Sequence, residues 1–142
     1  MIIKQLSIFL ENKLGRLTEL TKVLAENDIN ISAFSIAEGT DYGIIRCVVG
    51  RPELAYKVLR DLHFSVTITD VACLVVPNQP GGLHTALEIL SKNNIAIDYM
   101  YAFASAHNAV VVIRSESTPK LIEVLQQHNF DMLCCEKIYQ NH

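Results

Sequence analysis

The 142-residue chain has no tryptophan, and its aromatic content is limited to five tyrosines and five phenylalanines. No two of its twelve lysines and arginines are adjacent, and the formal net charge is −3. Phosphate binding needs a concentrated basic face, so this balance argues against a nucleic-acid partner. The four cysteines, Cys47, Cys73, Cys134 and Cys135, show neither CxxC spacing nor a His-rich companion. They are expected as buried reduced thiols, with no metal and no redox cofactor. His63, His84, His107, His128 and His142 share no spacing with a nucleophile and an orienting acid, which leaves no catalytic set to argue. No apolar run approaches a membrane span, and Met1-Ile2-Ile3-Lys4 lacks the basic start of a cleavable leader. The expectation is a soluble, cytoplasmic protein without membrane contact.

What the chain does have is an abundance of apolar residues, half of the total, and a repeat. The turn Asn12-Lys13-Leu14-Gly15-Arg16-Leu17 recurs as Asn78-Gln79-Pro80-Gly81-Gly82-Leu83, with 78 − 12 = 66 and 81 − 15 = 66. Each copy follows an apolar strand pattern and precedes a helical one. The first turn of a helix offers backbone N–H groups with no internal acceptor, and its dipole end is positive. Such a corner suits an anion such as a carboxylate. A glycine there removes the Cβ that would hold a ligand away from the backbone. An asparagine side chain both donates and accepts, which fits a zwitterion. Used once, the turn reads as an ordinary Asn/Gly loop; used twice in one register, it reads as a repeated site.

The remaining elements follow from period and punctuation. Ile2 to Leu10 alternates as a strand, and Leu17, Leu20 and Leu24, with Val23 beside them, fall at helical spacing. A second strand runs from about Ile29 to Ala37, Glu38-Gly39-Thr40-Asp41 marks a hairpin, and Tyr42 to Val49 is a third strand. Pro52 opens a second helix. Val66 to Val76 is continuous extended chain, with no linker between the halves. The same β-α-β-β-α-β order returns 66 residues later, ending in a strand from Met132 to Tyr139. The prediction is α+β: two tandem ferredoxin-like units, residues 1–70 and 71–142, each an antiparallel sheet with both helices on one face. Ala109 to Ile113 is apolar on both faces, so the second face needs a cover: a partner chain most simply, helices of the twin unit otherwise.

With turn, order and duplication together, the chain resembles a tandem ACT-domain protein over essentially its whole length. Ile8 to Leu17 looks like that family's opening strand and its x-Asn-x-Pro-Gly-x-Leu turn, and Asp28-Ile29-Asn30-Ile31 like its step into the second strand. The first unit is also similar to the small regulatory subunit of acetohydroxyacid synthase. The resemblance implies sensing of a small ligand, most often an amino acid, at an interface between two ACT units. It implies one ligand set in which Asn12, Leu14, Gly15, Arg16 and Leu17 face Asn30 and Ile31. The other set is Asn78, Pro80, Gly81, Gly82 and Leu83 with Ile97 and Asp98. The backbone at Gly15 and Gly81 would hold a carboxylate, and Asn12, Asn30 and Asn78 would add side-chain hydrogen bonds.

Two departures bear on this. The family's proline is Leu14 in the first unit, and the Asn30 position is Ala96 in the second, so the sites are expected to be unequal, the stronger one using Asn12 and Asn30. Whether each set meets within one chain or across a dimer stays open. An acylphosphatase on this fold needs an Arg-bearing phosphate loop that the turn lacks. An RNA module needs basic neighbours around Tyr99, Tyr101 and Phe103. The reading is a non-catalytic amino-acid sensor without cofactor, expected as a homodimer and acting on its own assembly or on a separate regulated enzyme. The alternative is an interaction or scaffold module with degenerate ligand sites.

Overall fold

The computed structural model describes residues 1–104 and 107–134. The elements are β1 (Ile3–Glu11), α1 (Arg16–Glu26), β2 (Ile31–Ala37), β3 (Tyr42–Val49), α2 (Pro52–Asp61), β4 (Ser65–Pro77), α3 (Gly82–Lys92), β5 (Tyr99–Ala104), β6 (Asn108–Arg114), α4 (Thr118–Gln127) and β7 (Asp131–Met132). Two compact units result, one of residues 4–69, the other of residues 70–134 with Met1–Ile3. In the first unit the strand order is β2-β3-β1-β4; in the second, β6 and then β5 follow β4 on one side while β7 pairs with β4. Both are the order of a split β-α-β fold. The far part of the expected closing strand, residues 135–139, lies outside the described residues, as do Cys135 and Ala106.

In the first unit Leu6, Ile8 and Leu10 of β1 meet Leu20, Val23 and Leu24 of α1, with Leu59 of α2 and Ile45 of β3 completing the core. In the second, Leu74 and Val76 meet Leu90 of α3, Leu121 and Leu125 of α4, and Val111 and Ile113 of β6. Each such side chain stabilises its unit by about 1.5–3 kcal/mol relative to exposure. Asn27 continues the helical spacing for a different reason: its Nδ2 donates to the Val23 carbonyl at 2.8 Å, closing the end of α1, and Asn93 does the same to Ile89 at 2.8 Å.

The duplication extends to the backbone. Residues with positive φ occur as Asp28 with Asn94 and His63 with Asn129, each pair 66 apart. The turn after each first helix is tied by Ile29 N to Leu24 O (2.9 Å) and by Ile95 N to Leu90 O (3.0 Å).

At β6 part of the second sheet face is buried. Val112, opposite in direction to Val111 and Ile113, is fully buried, as is its register partner Cys73. The large exposed apolar side chains of the strands lie elsewhere, at Phe9, Phe34, Ile36, Tyr42, Ile68 and Phe103.

Cys47 and Cys73 are buried, and loss of solvation pushes each thiol from 9.0 up to about 12. Since the thiolate is the reactive form, iodoacetamide at pH 8 is expected to modify half-buried Cys134 in the native protein. Cys47 and Cys73 should label only once denaturant unfolds the chain. Peptide mapping by mass spectrometry checks this, and native labelling of Cys47 would contradict it.

Candidate functional site

The corner between β1 and α1 is built by backbone hydrogen bonds. Asn12 N donates to Asp41 O at 3.0 Å, Lys13 N to Glu11 O at 2.8 Å, and Arg16 N to Lys13 O at 3.2 Å. Gly15 stands at the N-cap with φ 91°, and no side chain caps the helix; the first N–H, that of Arg16, is taken up by Lys13 O. The second corner repeats the pattern 66 residues on: Asn78 N to His107 O at 2.9 Å, Gln79 N to Pro77 O at 2.9 Å, and Gly82 N to Gln79 O at 3.1 Å. Gly81 there has φ 85°. A left-handed residue at each N-cap is what glycine is for.

Beside the first corner lies a hollow of about 340 Å³, lined by Leu10, Leu14, Leu17, Ile36, Gly43 and Ile45 with Glu11, Asn12 and Lys13 at its polar wall. The same three polar residues form one wall of a second hollow of about 370 Å³, closed by Thr40, Asp41 and Tyr42. Asn12 fastens the β2–β3 hairpin to the corner, its Nδ2 donating to Gly39 O at 2.7 Å and Thr40 O at 3.4 Å. Lys13 Nζ lies 2.9 Å from Glu11 Oε2. Their hydrogen bond and mutual charge lower the Glu11 carboxyl from its ordinary 4.5 and raise the Lys13 ammonium from 10.5. Leu14 is wholly exposed, an apolar side chain held out at the mouth.

Arg16 turns away. Its Nη1 donates to Glu19 Oε2 at 2.8 Å, and its guanidinium lies 4.5 Å from the centroid of the Phe64 ring. It borders a separate hollow with Phe9 and His63.

Asn30 and Ile31 do not meet Asn12 and Gly15 within the unit. They follow the C-terminal end of α1, whereas the corner precedes its N-terminal end, and eleven residues of helix at 1.5 Å each span about 16 Å. Asn30 instead accepts from Gly50 N at 2.9 Å, and Ile31 packs on the core. In the second unit Asn78, Pro80, Gly81, Gly82 and Leu83 form the corner, with Leu83 against the core. Ile97 lies at the other end of α3, lining a hollow of about 480 Å³ with Leu87, Asn94 and Ala96. Asp98 is tied to β6: its N donates to Arg114 O at 2.9 Å and its carboxylate lies 3.9 Å from Arg114 Nε. His84 is exposed on α3, 3.6 Å from Glu88, the place of a solvated helix histidine.

The pocket residues missed in sequence were Leu10, Glu11, Lys13, Ile36, Gly43 and Ile45. A signal for the last three existed. The strand that follows a β-α unit runs parallel to the first, so β2 ends, and β3 begins, beside the corner. Among the described residues no group of three or more His, Cys, Asp or Glu gathers as for a metal ion. No helix among them is long and apolar enough to cross a membrane.

Two βαββαβ units, each with a glycine at the corner before its first helix, make this a duplicated ferredoxin-like protein. The chain belongs to the ACT domain pair family, whose model matches residues 1–140. ACT domains are regulatory, ligand-binding modules rather than catalytic ones. The chain is 51% identical to a protein from Bacteroides thetaiotaomicron of known crystal structure, covering 99% of this chain and 97% of that one, with a TM-score of 0.95. It shares the fold of the ligand-free regulatory subunit of aspartate kinase from Thermus thermophilus, at 14% identity, coverage of 87% and 91%, and a TM-score of 0.65. The E. coli aspartokinase III structure in complex with aspartate and ADP aligns at 17% identity and a TM-score of 0.59, over 89% of this chain but 31% of that one. No curated protein sequence matches the chain.

Proposed function

We propose that this protein is a non-catalytic amino-acid sensor of the cytoplasm, which binds its ligand at the corner between β1 and α1 and acts on a separate protein or on its own assembly. The observation that carries the reading is the hollow of about 340 Å³ at that corner, the size of a small-ligand site. The start of α1, which no side chain caps, stands next to it, and its positive dipole end favours a carboxylate. The partner unit at the ligand comes from a second copy, since β2 is the outer strand of its unit and presents Phe34 and Ile36 to solvent. Asn30 and Ile31, remote from the corner within one unit, belong to the ligand set only if supplied by that other copy. A ligand binding the paired form better than the single one shifts the population towards it. The regulated partner is an enzyme, by analogy with the regulatory subunits that share the fold.

Thermal unfolding against the twenty amino acids is the test. A ligand held only by the folded chain, at a hundred times its dissociation constant, stabilises by about 2.7 kcal/mol. Asn12→Ala is expected to remove the hairpin tether, cost about 1 kcal/mol in the ligand-free protein, and reduce the ligand-induced rise in midpoint. If no amino acid raises the midpoint, the sensor reading gives way to an interaction module. That second reading is favoured by one specific feature, the exposed apolar group of Phe9, Phe34, Ile36 and Tyr42 on the first unit.

A further inference from the structure

We infer that the ligand is a free α-amino acid with an apolar side chain, leucine-like in size, bound once per chain, with Glu11 taking its ammonium and Lys13, beside the start of α1, its carboxylate. This rests on the sensor reading and narrows it to a chemical class. The two adjoining hollows at the corner differ in character. Leu10, Leu14, Leu17, Ile36 and Ile45 line the first, whereas Thr40, Asp41 and Tyr42 close the second. Glu11, Asn12 and Lys13 are the wall common to both. A ligand seated across that wall needs an apolar body on one side and a compact polar head on the other.

The charges select the head. Glu11 and Lys13 already neutralise one another at 2.9 Å. A ligand bearing one charge takes one partner and strands the other, whereas a zwitterion exchanges the pair for two new contacts without leaving a charge unmatched. Both residues are exposed, so each contact alone is modest; discrimination comes from needing both. The apolar lining selects the body, because a carboxylate or ammonium on the side chain would be desolvated against leucines and isoleucines with no partner.

The second corner lacks these features. At the offset of 66, Glu11, Lys13 and Ile36 become Pro77, Gln79 and Ala102. The charge pair is gone and the apolar wall is cut back. One site per chain follows, and it is the N-terminal one.

Isothermal titration calorimetry on the full chain tests this with leucine, aspartate, lysine, 4-methylpentanoate (leucine without its amine) and isopentylamine (leucine without its carboxylate). Leucine is expected to bind with one site per chain, about tenfold or more tighter than aspartate or lysine. Both truncated analogues should bind about three- to tenfold more weakly than leucine. Glu11→Gln should weaken leucine by a similar factor without weakening 4-methylpentanoate, and Lys13→Gln should weaken leucine without weakening isopentylamine. Circular dichroism confirms that these exposed-residue variants fold. Tighter binding of aspartate or lysine than of leucine, two sites per chain, or analogues equal to leucine would each overturn the inference while leaving an amino-acid sensor standing. Absence of binding by all twenty amino acids removes both.

Discussion

Leu24→Ala is expected to lower the unfolding free energy by about 3 kcal/mol, within the roughly 2–5 kcal/mol range of buried leucine truncations. Leu24 is 1% exposed and sits among β1, α2 and β3 at the centre of the first core. Its carbonyl also accepts Ile29 N at 2.9 Å, so the end of α1 and the entry to β2 hang on the same residue. Leu90 occupies the equivalent position, 90 − 24 = 66, again 1% exposed and accepting from Ile95 N. Leu90→Ala should therefore cost a similar amount. Units of this size bury only a modest fraction of their surface, so a loss of 3 kcal/mol is a large part of what each has. Leu62→Ala is the control: the side chain is 53% exposed and its loss should stay within about 0.5 kcal/mol. Urea titration followed by circular dichroism measures all three. A change below about 1 kcal/mol for Leu24→Ala would mean that the first core is not organised round α1 as described.

That equivalence was legible in the residues themselves. Leucines at 17, 20 and 24 recur as apolar residues at 83, 86 and 90, and a helix that buries one stripe allows little else at those places. Pro52 and Pro119 marked the starts of α2 and α4, because proline costs nothing where no N–H partner exists. The unbroken β4 was legible because Val66 to Val76 contains no glycine, proline or asparagine to stop it. The site was only half legible. A turn shows its own residues in a contiguous motif, so Asn12, Leu14 and Leu17 could be read directly. Its opposite wall comes from Ile36, Gly43 and Ile45, which reach the corner through strand direction and register, Ile36 facing Ile45 and Leu10 facing Gly43. Asn30 looked closer in sequence than Gly43, yet α1 carries it to the far end of the unit. The burial of Val112 was also beyond local patterning, because alternation reports which way a side chain points and not how deeply it is buried.

Gly82→Ala is expected to cost about 2–3 kcal/mol, more than Gly81→Ala beside it, for opposite physical reasons. A Cβ on Gly82 would lie 2.3 Å from the Pro77 carbonyl oxygen, a backbone atom that already accepts Gln79 N at 2.9 Å. Relief requires opening the corner itself, an overpacking cost of about 1–3 kcal/mol plus strain on that hydrogen bond. A Cβ on Gly81 meets nothing within 4 Å, and the penalty is the left-handed backbone alone, φ 85°, of roughly 1–2 kcal/mol. Gly15→Ala, with φ 91° and equally open space, should match Gly81→Ala. Chemical denaturation of the three variants gives the order, and Gly82→Ala at or below Gly81→Ala would show that the second corner relaxes freely. The N-terminal corner carries Arg16, with its full side chain, at the position of Gly82. One corner therefore accommodates a Cβ where the other has closed round Pro77. Duplication supplied two similar frames, and the differences at Glu11/Pro77, Lys13/Gln79 and Arg16/Gly82 are where the two corners have come apart.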